Sequence, residues 1–211
     1  MKTRVSIQIS CLLIALMITP AAMAQEETLL GGGPVEHGGF GAPVVKYSPV
    51  RGEPAVFVGA YGGWLINHSF LLGLGGYGLV SSIEPAEGAG PFYLLPYVPR
   101  IQMGYGGLVL EYIASPEKLV HFSFWMLIGG GEVVYTQWDW WNDDWHDSYH
   151  GPADQFFVFE PGANVEVNVT SFFRVAAGAS YRLVNGIQLQ GLSNTDLSGP
   201  ALNLALKFGS F

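Results

Sequence analysis

The sequence predicts an all-β fold, an eight-stranded antiparallel up-and-down transmembrane β-barrel. Three observations predict it: apolar and polar residues alternate with a period of two, short and long connections alternate along the chain, and the composition is unusually apolar. Of the 211 residues, 49% are hydrophobic and only 12% are charged. That is roughly half the charged share of an average soluble domain. Much of the surface of such a chain needs a solvent other than water.

The period of two is clearest in the last third of the chain. From 157 to 169 every odd position is apolar, while the even positions include Glu160, Asn164 and Glu166. Two later stretches repeat the pattern. Because successive side chains of a strand point to opposite faces, each stretch is a strand with one apolar and one polar face.

The same template predicts eight strands. Short turns join some of them and longer connections, rich in Gly, Pro or polar residues, join the others. Short and long alternate along the chain, as is typical of membrane barrels with turns at one end and loops at the other. The long loops are 82–100, 137–154 and 185–199. The strands are 40–48, 54–66, 70–81, 101–114, 119–136, 155–169, 172–184 and 200–211.

The polar faces of these strands are expected to line the lumen. An eight-stranded barrel is narrow enough for its interior to be filled by side chains. Three acids and four bases on these faces would form an internal ion-pair network. On the exterior of a soluble barrel the same seven residues would give only a sparsely charged surface. A buried charge is costly unless it is paired. The seven residues are Lys46, Glu111, Glu160, Glu166, Arg174, Arg182 and Lys207.

The N-terminus predicts export. Residues 1–24 combine a short basic start, an apolar run of about 13 residues and an Ala-Met-Ala cleavage site at 22–24, which is the pattern of a secretory signal peptide. Cleavage is expected before Gln25. Residues 25–39 show no period and are expected to be a flexible lead-in to a barrel over 40–211.

The chain ends in an alternating strand that finishes in an aromatic residue, Leu202-Asn-Leu-Ala-Leu-Lys-Phe-Gly-Ser-Phe211. With the signal peptide and the eight strands, residues 40–211 resemble small outer-membrane β-barrel proteins of Gram-negative bacteria, of the porin-like or outer membrane protein A/X type. The resemblance implies an outer-membrane location, contact with outer-membrane lipid, and insertion by the barrel-assembly machinery, with Phe208 and Phe211 as the C-terminal signal. Phe211 is out of phase with the apolar positions before it, so the strand either ends at Phe208 or bends at Gly209.

Loop 137–154 is the most unusual connection. The simplest interpretation is a solvated acidic loop whose tryptophans lie at the membrane interface. Alternatively, the tryptophans Trp138, Trp140, Trp141 and Trp145 contact an extracellular glycan or protein. A third reading is a divalent-cation site, because carboxylates and imidazoles are suitable ligands, although the spacing is not diagnostic. Its candidate ligands are Asp143, Asp144, His146, Asp147 and His150.

We therefore expect a non-catalytic barrel, without a cofactor, whose role is structural or depends on its loops. Nucleic-acid binding is not expected, because 9 Lys+Arg against 17 Asp+Glu leave a net charge of −8 and no basic patch. One alternative is a lipid- or surface-modifying hydrolase on the same barrel, using His121, Ser123 and Glu111, although the register points these groups inward. Another is a secreted soluble barrel that binds a small apolar ligand.

Overall fold

A computed structural model describes residues 35–86, 99–136 and 150–211 of the chain. Most of these residues lie in β-strands. No helix within the described ranges is long and apolar enough to cross a membrane. The elements are β1 (His37–Tyr47), β2 (Val56–Ile66), β3 (Phe70–Leu79), β4 (Arg100–Ala114), β5 (Val120–Thr136), β6 (His150–Asn168), β7 (Phe173–Asn185), the single helical turn α1 (Asn194–Leu197) and β8 (Gly199–Ser210).

The eight strands form one closed sheet. Each strand pairs antiparallel with its neighbour in the chain, and β8 pairs antiparallel with β1. Val45 marks the closure, since it lies opposite Val58 of β2 on one side and Leu204 of β8 on the other. Closure leaves no strand edge unpaired. The predicted fold, an eight-stranded antiparallel up-and-down barrel, is confirmed.

The connections give the barrel two different ends. At one end, here called the turn end, lie the short connections after β2, β4 and β6 and both ends of the barrel sequence. The tightest of these turns has Asn67 and His68 at φ 48° and 56°, which matches the twist of the two strands it joins. The longer connections lie at the opposite end, here called the loop end.

Two strands begin earlier than the sequence predicts. β1 begins at His37 rather than at residue 40, so the end of the expected lead-in is already paired with β2. β6 begins at His150 rather than at residue 155, and its first residues pair with the end of β5 across a register shift between Val134 and Thr136. Pro152 lies in this irregular stretch, where a missing backbone N–H is tolerated. Gly151 and Pro152, residue types typical of loops, therefore lie inside a strand.

Packing inside the barrel depends on glycines that lie beneath aromatic rings. The Trp125 ring crosses Gly162, where an added Cβ would lie 2.7 Å from a ring carbon. Tyr77 crosses Gly59 in the same way, at 2.6 Å. At these two positions the narrow lumen accommodates a large ring because the neighbouring strand carries no side chain.

Candidate functional site

The outer surface of the barrel is apolar. Leu74, Phe124 and Leu204 are 69%, 55% and 50% exposed, and they belong to a belt of large apolar residues around the whole barrel. Soluble monomers rarely expose such a continuous apolar surface. Aromatic residues border the belt near both ends, as in transmembrane barrels. They include Trp64, Tyr112, Phe122 and Phe208 towards the turn end, and Tyr47, Phe157 and Tyr181 towards the loop end.

The inner surface carries the charges. All seven charged residues predicted to line the lumen are at most 5% exposed. This polarity is the inverse of a soluble barrel that holds an apolar ligand. The soluble alternative is not supported, because the water-facing exterior of such a barrel would consist of the large exposed apolar side chains described above.

One group of lumen residues, the upper lumen cluster, consists of Lys46, Tyr105, Glu160 and Ser180. The Lys46 ammonium lies 2.8 and 2.9 Å from the two Glu160 carboxylate oxygens. The hydroxyls of Tyr105 and Ser180 donate to the same carboxylate at 2.8 and 2.6 Å. Glu160 is thus neutralised and fully hydrogen-bonded, which is the condition for burying an ion pair without a large penalty.

Aromatic rings complete the surroundings of Lys46. Its Nζ lies 3.3 Å from the centroid of the Tyr77 ring and 4.9 Å from that of Trp125. Both distances are within cation–π range, and such contacts are strongest where water is excluded. The upper lumen cluster is therefore a filled layer of the barrel.

A second group, the lower lumen cluster, lies towards the turn end and consists of Glu111, His121, Glu166 and Lys207. Lys207 Nζ donates to Glu111 at 2.7 Å and also to Glu166. The Tyr61 hydroxyl lies 3.3 Å from a Glu111 oxygen. Two buried carboxylates consequently share one ammonium group.

His121 and Ser123 project into the lower lumen cluster, as their register predicts. His121 Nε2 is 3.4 Å from Glu166 Oε2, and its Nδ1 is 3.1 Å from the Lys118 carbonyl. His121 and Ser123 are 2% and 0% exposed. A hydrolase acting on membrane lipid needs these groups on the outer surface, so this constellation does not support that alternative.

The two lumen arginines are not in the ion-pair network that the sequence predicts. Arg182 donates to the carbonyls of Leu197 and Pro49, at 2.7 and 3.3 Å, and its guanidinium carbon lies 4.5 Å from the Phe57 ring centroid. Arg174 makes no ion pair within 4.0 Å among the described residues. The seven charges thus form two separate clusters and two individual arginine sites.

A small apolar cap covers the loop end above Arg182. Its residues come from three different connections, and they are buried together with the lumen. Arg51 N donates to Asp196 O at 2.7 Å and so links two of these connections, and Tyr135 OH of β5 donates to Gln190 O at 2.8 Å. The cap consists of Val50, Ile83, Leu189, Leu192 and Leu197.

Sequence reasoning missed the tyrosines that contact the lumen charges. The hydroxyls of Tyr61 and Tyr105 bind the carboxylates of Glu111 and Glu160, and the Tyr77 ring lies under the Lys46 ammonium. Tyr61, Tyr77 and Tyr105 occupy inward positions of β2, β3 and β4, and each is followed by a glycine. The phase of the strand was sufficient to place them inside. This phase was hard to recognise in β2 and β3, because glycines occupy many of their positions and neither strand has a charged residue that marks the lumen face.

The two C-terminal aromatics face opposite sides of the wall. Phe208 faces outward and stacks on Phe173, with ring centroids 4.7 Å apart. β8 neither ends at Phe208 nor bends at Gly209, because it continues to Ser210 with its alternation unchanged. Phe211 is therefore on the lumen side, and the expectation of a strand end or a bend is wrong.

The loop candidates are mostly outside the described residues. This applies to the four loop tryptophans and to Asp143, Asp144, His146 and Asp147, and also to the signal peptide 1–24. His150 begins β6, so its backbone belongs to a strand rather than to the predicted loop. In residues 35–86, 99–136 and 150–211, no group of three or more His, Cys, Asp or Glu residues is arranged to hold a metal ion.

Solved structures share this architecture at low sequence identity. Neisserial surface protein A is 9% identical, with a TM-score of 0.52 over 84% of this chain and 99% of that chain. The chain has the fold of the small bacterial outer-membrane β-barrels. The N-terminal barrel domain of Pseudomonas aeruginosa OprF is 11% identical, with a TM-score of 0.47 over 83% and 99% of the two chains. Yersinia pestis Ail, the attachment invasion locus protein, is 8% identical, with a TM-score of 0.45 over 82% and 97%. No protein-family model matches the chain, and no curated protein matches it.

Proposed function

We propose that this protein is a non-catalytic outer-membrane barrel that presents its loops at the bacterial surface. The observation that carries the proposal is the polarity of the wall, with large apolar side chains on the outside and, on the inside, all seven charged side chains predicted to line the lumen. An exposed apolar surface of this extent favours contact with membrane hydrocarbon, and bacterial barrels of this kind occur in the outer membrane. Its immediate partners are then outer-membrane lipid and, during biogenesis, the barrel-assembly machinery.

The lumen supports a scaffold rather than a pore or an enzyme. Both lumen clusters are buried, and the cap covers the loop end of the part of the barrel that the structure describes. The strongest nucleophile–base candidates, Ser123 and His121, are enclosed within it. We infer that any interaction with the outside depends on the loops.

Cell fractionation followed by gel electrophoresis tests the location and the closed fold together. The protein should appear in outer-membrane fractions and migrate differently before and after boiling in detergent, because a closed barrel resists unfolding until it is heated. Recovery from a soluble periplasmic extract, with no change in mobility on boiling, would contradict the proposal.

A loop role is tested with two variants of loop 137–154 that separate stacking from cation binding. One variant replaces Trp138, Trp140, Trp141 and Trp145 by Ser, and the other replaces Asp143, Asp144 and Asp147 by Asn. Vesicles that carry each protein are assayed on immobilised neutral oligosaccharides, with and without Ca²⁺. Loss in the tryptophan variant alone supports stacking on a sugar, whereas a Ca²⁺-dependent loss in the aspartate variant supports a cation site. No binding by the parent protein contradicts glycan contact.

A further inference from the structure

The C-terminal ring lies in the mouth of the lumen at the turn end. Its centroid is 5.4 Å from that of Phe40 and 3.9 Å from the guanidinium carbon of Arg174. Phe40 and Arg174 are 6% and 5% exposed. Phe211 therefore packs against two buried residues of the barrel interior.

A close approach of backbones fixes the strand end from which this ring projects. Gly209 lies opposite Phe40 of β1, and an added Cβ would lie 2.1 Å from the Gly39 carbonyl oxygen. The Gly209 N–H donates to the Phe172 carbonyl at 2.9 Å. The end of β8 is thus held between β1 and the turn before β7, and the ring is directed inward.

The Arg174 and Lys207 side chains, which lie on the lumen side of Phe211, are buried. Arg174 Nη1 is buried and has no hydrogen-bond partner among the described residues, and the Phe211 ring face lies over the same guanidinium group. Cation–π attraction is stronger when water is excluded. Lys207 lies opposite Arg174 on the neighbouring strand. Its Nζ is 4.7 Å from the centroid of the Phe40 ring and contacts the two carboxylates of the lower lumen cluster.

We propose that Phe211 is a plug that closes the lumen at the turn end by covering Arg174 and the lower lumen cluster. The plug is distinct from an assembly signal, because Phe208 supplies the outward aromatic of the same strand. Removal of the Phe211 ring opens a path from the turn end to the lower lumen cluster, whereas removal of the Phe208 ring leaves that path closed.

Thiol labelling tests the plug directly. Cys11 is the single cysteine of the chain, so Ala176→Cys in a Cys11→Ser background gives one thiol at a lumen position. Ala176 is 1% exposed and lies opposite Glu166 and Ala205. The probe is a negatively charged methanethiosulfonate, applied to folded barrels in detergent micelles, and labelling is followed by mass spectrometry.

We expect Phe211→Ala to accelerate labelling at least tenfold, and its matched control Phe208→Ala to leave the rate unchanged. All proteins are refolded from urea, so that an assembly defect in cells does not affect the result, and heat-modifiable mobility establishes that each is folded. Phe211→Leu, which keeps an apolar group without a π face, should label at an intermediate rate. Equal rates in the parent and in folded Phe211→Ala overturn the proposal, as does an equal acceleration by Phe208→Ala. If Phe211→Ala does not refold, the rate of Phe211→Leu decides, and a rate equal to that of the parent overturns the proposal.

Discussion

Lys207 is the residue whose removal tests most sharply whether the lumen charges stabilise the barrel. Its ammonium contacts both Glu111 and Glu166, and all three side chains are fully buried. Lys207→Met keeps the apolar stem and removes only the charge. Two carboxylates then remain buried without their shared cation.

The expected cost follows from this geometry. Removing one partner of a buried ion pair typically costs about 3–5 kcal/mol, and here two acids lose the same partner, so we expect the upper part of that range. With a urea m-value of about 2 kcal/mol per molar, the unfolding midpoint should fall by roughly 2 M. The triple variant Lys207→Met, Glu111→Gln, Glu166→Gln removes the uncompensated charge and should recover most of the loss.

Equilibrium urea unfolding in lipid vesicles, followed by tryptophan fluorescence, measures both effects. Leu206→Met is the matched control, because it alters the adjacent outward position of β8 by a volume-conserving change that typically costs less than about 1.5 kcal/mol. The reasoning is refuted if Lys207→Met unfolds within about 0.5 kcal/mol of the parent. It is refuted equally if the triple variant is no more stable than the single one.

Three further predictions concern the wall, the cap and the packing. Leu204→Arg, at the middle of the apolar belt, should lower the free energy of unfolding in vesicles by about 2–4 kcal/mol, whereas Leu119→Arg in a turn should lower it by about 0–1 kcal/mol. Equal losses in urea unfolding would contradict a membrane-facing wall. Arg182→Met should accelerate proteolytic cleavage of the cap connections, because two charge-assisted hydrogen bonds worth about 1.5–3 kcal/mol each are lost; an unchanged cleavage pattern would show that the cap is held by other contacts. Gly162→Ala should lower the free energy of unfolding by about 1–3 kcal/mol, because the added methyl group displaces the Trp125 ring. Gly41→Ala, whose added Cβ meets nothing within 4 Å, should leave that free energy within about 0.5 kcal/mol of the parent. Equal losses for both would contradict the packing argument.

The sequence was sufficient for the strands because each strand is encoded locally. Alternation in 157–169 fixes the faces of β6 whatever its neighbours are, and short polar turns interrupt the pattern where strands end. The start of β6 was misjudged for the same reason. Gly151 and Pro152 are local signals of a loop, and only pairing with β5 makes them part of a strand.

The candidate site was partly predictable. The inward phase was sufficient to place all seven charged residues in the lumen, and the structure buries them. It was not sufficient to pair them. Lys46 and Glu160 are 114 residues apart in the sequence, and Arg182 contacts backbone carbonyls that no side-chain pattern reveals.

The sequence by itself determined the period-two strands, their number and the inverted polarity of the wall, because these properties depend on each residue and its near neighbours. Only the tertiary structure decided which charges meet, how the cap assembles and where Phe211 lies. The charge pairs cross the lumen between strands that are distant in the chain. The cap joins separate connections, and Phe211 meets Phe40 only because β8 pairs with β1 and closes the wall.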